Sequence, residues 1–60
     1  MKFITFTQLD GKDCFIDIHK IQSVNEEGSQ TKIYFSNSDY QVVKEKPREV
    51  FAMLENYHVN

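Results

Sequence analysis

Pro47 is the only proline in the chain, and the hydrophobic rhythm changes at that point. Before it, apolar residues tend to alternate with polar ones, the period of half-buried strands. After it, Val50, Met53, Leu54 and Tyr57 recur at helical spacing, with Phe51 beside them. Arg48, Glu49, Glu55 and Asn56 occupy the opposite side, which makes the segment amphipathic. Proline is well suited to a first helical position, where its missing N–H would have had no partner anyway. The switch predicts strands up to about residue 44 and a single helix over about 47–57.

Turn chemistry divides the first part into five short strands, over about 3–9, 12–16, 21–25, 31–36 and 40–44. Asp10-Gly11 is a two-residue hairpin signal of the type I′ kind, in which both central residues take positive φ. Asp17 can accept backbone N–H bonds and start one helical turn, tucking Ile18 and Ile21 inward. The run Asn25-Glu26-Glu27-Gly28-Ser29-Gln30 reads as a polar loop, and Ser36-Asn37-Ser38-Asp39 as a turn. Consecutive short strands joined by tight turns pair antiparallel. The expected fold is therefore α+β: a five-stranded antiparallel meander, curled or barrel-like, with a C-terminal amphipathic helix, in one domain over 1–60.

Sixty residues bury little core, and small domains commonly lean on disulfides, a metal or a second subunit. Cys14 is the only cysteine, so no disulfide can form within the chain. A homo-oligomer or a protein partner is then the expected extra stabiliser. The net charge of −2 gives no global positive field for nucleic acid or an anionic membrane. No window approaches the ~20 apolar residues of a membrane span. The start of the chain alternates with threonines and lacks the apolar core of a signal peptide. The expected location is the cytoplasm.

Catalytic parts are missing from the sequence. Structural zinc takes four ligands in closely spaced pairs, and Cys14, His19 and His58 form no such pair. Cys14 reads instead as a small hydrophobe on the second strand and His19 as a turn residue. No phosphate-binding glycine loop, metalloprotease or calcium-loop pattern occurs. No enzymatic activity, catalytic residue, metal or other cofactor is expected.

The faces of the sheet carry more information. The first strand separates Phe3, Thr5, Thr7 and Leu9 from Ile4, Phe6 and Gln8, and the fourth separates Ile33 and Phe35 from Tyr34. One short helix cannot cover two apolar faces, so either the sheet closes into a barrel or one face meets another molecule. Scattered exposed aromatics are also ordinary on protein surfaces. The candidate partner-binding residues are Phe6, Tyr34 and Tyr40. Lys44, Lys46 and Arg48 form a local basic cluster that, with Tyr40, defines the alternative of a nucleic-acid-binding regulator. Glu45 and Glu49 interrupt it, and alternating charge there also discourages unwanted strand pairing.

A set of short motifs completes the reading. Leu9-Asp10-Gly11-Lys12, Phe15-Ile16, Ile21-Gln22-Ser23-Val24, Thr31-Lys32-Ile33-Tyr34-Phe35, Val42-Val43-Lys44-Glu45 and Val50 with Leu54 follow one another in this order. The series resembles the FlbD-type flagellar and swarming-motility small proteins of motile bacteria, over about residues 3–55. Asn37-Ser38-Asp39 stands where that family usually has an N-G turn. The outline is also similar to LytTR DNA-binding domains and to the dimeric RNA-binding carbon-storage regulators, without the basic motifs of either. The resemblance implies a bacterial role in motility and no catalytic residues. Together these observations lead to a non-enzymatic protein-interaction module. A nucleic-acid-binding regulator and a small phage-encoded inhibitor of a host protein are the alternatives.

Overall fold

The computed structural model describes the backbone of residues 2–58 and side chains as far as Asn56. The order is β1 (Phe3–Thr7), β2 (Asp13–Asp17), a 3₁₀ turn (Ile18–Lys20), β3 (Ser23–Glu27), β4 (Gln30–Tyr34), β5 (Tyr40–Val43) and α1 (Pro47–His58). All strand pairs are antiparallel, but they form two sheets, β1-β2 and β3-β4-β5. The expected single meander and its barrel-like closure are corrected here. The element limits also differ by a residue or two from those read in the sequence, most at β3, which starts and ends later.

The hairpin turns explain the shifts. Gln8 N–H donates to Lys12 O at 2.8 Å and Gly11 N–H to Gln8 O at 2.9 Å, enclosing Leu9, Asp10 and Gly11. Gly11 has φ +90°, whereas no described non-glycine residue has positive φ, so the turn is a three-residue loop rather than the expected type I′ pair. In the next hairpin Glu27 faces Gln30 across Gly28-Ser29. Gly28 takes φ +66° at the first central position, the φ pattern of a type II′ turn. The segment read as a loop over 25–30 is thus mostly strand. The Asp17 expectation is met: its Oδ1 accepts from His19 N–H at 3.0 Å, starting the 3₁₀ turn.

Ile4, Phe6, Ile16, Ile33, Val43 and Val50 form the buried core, drawn from β1, β2, β4, β5 and α1. Fully burying a side chain of this size stabilises by about 1.5–3 kcal/mol. Cys14, Ile18, Ile21, Val24, Phe35, Met53 and Leu54 pack around it. The helix lies against β3. Its start is capped by its own side chain: Lys46 N–H donates to Glu49 Oε1 at 2.8 Å, and Val50 N–H donates to Lys46 O at 3.0 Å. Phe51, expected beside the apolar stripe, is 63% exposed. Tyr57 and His58 have side chains outside the described residues.

The two sheets are joined where β1 ends. Lys44 N–H donates to Thr7 O at 2.8 Å. In return, Thr7 N–H donates to both carboxylate oxygens of Glu45, at 3.0 and 3.1 Å, and Thr7 Oγ1 donates to Oε2 at 2.9 Å. A side-chain carboxylate therefore takes the place that a backbone carbonyl would occupy in a continuous ladder. Glu45 is half-buried in this clamp rather than a solvated charge deterring strand pairing.

Candidate functional site

The register puts Asn25, Glu27, Lys32, Tyr34, Tyr40 and Val42 on the face of β3-β4-β5 turned away from the core, because Val24, Thr31, Ile33 and Val43 point inward. Tyr34 lies directly opposite Tyr40. Their rings are 5.2 Å apart between centroids and tilted by 46°, within the range of favourable aromatic pairs. Lys32 Nζ sits 4.7 Å above the Tyr40 ring centroid and 3.1 Å from Glu27 Oε1. Tyr34 Oη donates to Glu27 Oε2 at 2.9 Å.

These contacts tie the four side chains into one ordered patch and shift their protonation. The Tyr34 hydroxyl first, and then the Lys32 ammonium, hold the Glu27 carboxyl below its usual range. The hydrogen bond to Glu27 raises both the Tyr34 phenol and the Lys32 ammonium. At neutral pH the patch is an anion and a cation side by side, framed by two aromatic rings. Tyr40 is 45% exposed, whereas Lys32 and Tyr34 are half-buried beside it.

Phe6 is fully buried. It belongs to the core, and its proposal as a contact residue is corrected: on β1 the side facing in carries Ile4 and Phe6, and the side facing out carries Phe3, Thr5 and Thr7. Exposed aromatics on the hairpin are instead Phe3, at 49%, and Phe15, at 68%. The sequence held a sign of this, since Asp13 and Asp17 flank Phe15 at the alternation of a polar face.

The basic cluster is divided. Lys46 and Arg48 border a shallow hollow whose other charged residues are Glu26 and Glu49. Lys44 is exposed on the segment that bonds β1. Cys14 is half-buried against the core, and His19 is exposed. Among the described residues, no group of three His, Cys, Asp or Glu side chains is placed to hold a metal ion. No described helix is long and apolar enough to cross a membrane.

The pattern of the FlbD family, described as flagellar and swarming motility proteins, matches residues 3–60. The chain belongs to the FlbD family. Curated proteins gave no match to it, and neither did solved structures. The motifs of this FlbD-family chain now have structural meanings. Its D-G pair lies in the three-residue first hairpin loop, and its V-V-K-E run buries Val43 and supplies the Glu45 clamp.

Proposed function

We propose that this FlbD-family chain is a non-enzymatic interaction module of the cytoplasm that serves motility by binding a protein through the Tyr34–Tyr40 face. The observation that carries this reading is an aromatic pair, Tyr40 exposed and Tyr34 half-buried, ordered by Lys32 and Glu27 on the sheet face that the helix leaves uncovered. Tyrosine gives large, rigid contact area with a polar tip, the composition typical of protein interfaces. An ordered pair also lowers the entropy lost when a partner docks.

Nucleic acid fits the surface less well. Glu26 and Glu49 share the hollow with Lys46 and Arg48 and would repel a phosphate there. A photo-crosslinking residue placed at Tyr40 in swarming cells tests the proposal, with the same residue at exposed Phe51 as the control. One defined protein adduct at position 40 and none at 51 is expected. No adduct at 40, or equal labelling at both positions, overturns it.

A further inference from the structure

We propose that the open edge of β2 takes up an extended basic segment of a protein partner, which adds as a strand beside Asp13–Asp17. The inference rests on the protein-binding reading above and adds the chemistry of one bound segment. Among the described residues β2 has a single sheet neighbour, β1. Gln8 N–H reaches Lys12 O and Ile18 N–H reaches Lys2 O, so the even positions along β2 direct their backbone groups at β1. Alternation then turns the N–H and C=O groups of Asp13, Phe15 and Asp17 outward, as a template for another strand. Strand addition to such an edge is a common mode of peptide recognition.

The side chains along this edge specify the occupant. A trough of about 580 Å³ runs beside it, with Phe3, Phe15 and Phe35 among its walls. Phe15, the most exposed aromatic among the described residues, stands between Asp13 and Asp17 on the outer face of the strand. Asp39 also lines the trough, where Lys20 is the single cation. A segment with cations at two positions four apart and a large apolar residue midway would place each cation opposite a carboxylate and the apolar residue on Phe15. A second copy fits poorly. With two β2 strands fully overlapped and antiparallel, Phe15 would meet Phe15, but each Asp13 would face Asp17 of the other copy, and like charges opposite one another destabilise a strand pair.

The test uses fluorescence anisotropy at low salt with the full chain. The probe is a dye-labelled nine-residue threonine peptide carrying lysine, leucine and arginine at its third, fifth and seventh positions. Binding about tenfold tighter than a peptide with glutamates in place of both cations is expected. Asp13→Lys, at an exposed site, should weaken the basic peptide by about fivefold to tenfold. N-methylation of the leucine and the residue before it should abolish binding, since one of these two alternating N–H groups must bond the β2 edge in either register. Phe51→Ser, at an exposed helix position outside the trough, should leave the affinity within about twofold. Equal affinity for the basic and acidic peptides, or indifference to N-methylation, overturns the proposal. So does a concentration-dependent dimer in sedimentation that Phe15→Ser dissolves, because the edge would then belong to a second copy. A failed peptide arm with the Tyr40 adduct intact removes the edge assignment alone. A missing adduct with the peptide arm intact removes the tyrosine-face reading alone.

Discussion

Replacing Glu45 by alanine should weaken the whole domain, because its carboxylate joins the two sheets alongside the Lys44–Thr7 backbone bond. Two donors depend on it, the Thr7 N–H and the Thr7 hydroxyl, at 2.9–3.1 Å. A hydrogen bond to a charged acceptor contributes about 1.5–3 kcal/mol net, and a buried donor left unpaired costs about the same. Both residues are half-buried, so water can reach part of the clamp, and the lower end of the range applies. Glu45→Ala should therefore cost about 2–3 kcal/mol, against roughly 3–5 kcal/mol for a core of this size. At about 4–8 °C per kcal/mol, the melting temperature should fall by roughly 10–20 °C. Thr7→Val removes only the hydroxyl bond and should cost about 1 kcal/mol. The chain lacks tryptophan, so circular dichroism in a urea titration is the suitable probe. A double-mutant cycle should give a coupling near 1 kcal/mol between the two sites. If Glu45→Ala loses less than about 0.5 kcal/mol, the scale of a neutral surface change, the clamp does not hold the sheets together.

Ile33→Ala, at a fully buried position, should cost about 2–5 kcal/mol and leave much of the population unfolded, whereas Phe51→Ala should stay within about 0.5 kcal/mol in the same titration. The tyrosine patch should hold over a defined pH window. Glu27 has a lowered folded-state pKa, so its contribution is present above the ordinary carboxylate value near about 4.3 and is lost as pH falls through the depressed value. Tyr34 and Lys32 have raised values, so theirs is present below the ordinary phenol and ammonium values, about 10 and 10.4, and is lost as pH rises through the raised ones. The NMR titration of the Tyr34 ring should move to lower pH in Glu27→Gln, and an unchanged midpoint would contradict the hydrogen bond as its cause.

The parts of the fold legible in the sequence are those set by neighbours along the chain. Pro47 marks the helix start, Asp17 the 3₁₀ turn, and the periods separate strand from helix. Local signals were weaker on turn type, since Asp10-Gly11 can close either a two-residue or a three-residue hairpin. The way the two sheets meet rests on Glu45 reaching Thr7, a contact thirty-eight positions apart in sequence that no periodicity encodes. The inward side of β1 was equally obscured, because Phe3 and Phe6 put an aromatic on each face. Its partner strand was more explicit: Asp13, Phe15 and Asp17 alternate with Cys14 and Ile16, so the polar face of β2 fixes which aromatic is outside. Of the candidate contact residues, Tyr34 and Tyr40 meet on one exposed face and Phe6 does not join them.

The most direct measurement is the swarm expansion rate of cells whose only copy of the protein carries Tyr40→Ser, with protein level and melting temperature checked alongside. Losing the ring pair and the Lys32 contact should cost about 1 kcal/mol, so the variant should stay folded at wild-type level with a melting temperature only several degrees lower. A contact face centred on Tyr34 and Tyr40 predicts a swarming defect approaching that of a deletion. Wild-type swarming by the Tyr40→Ser strain would contradict the account.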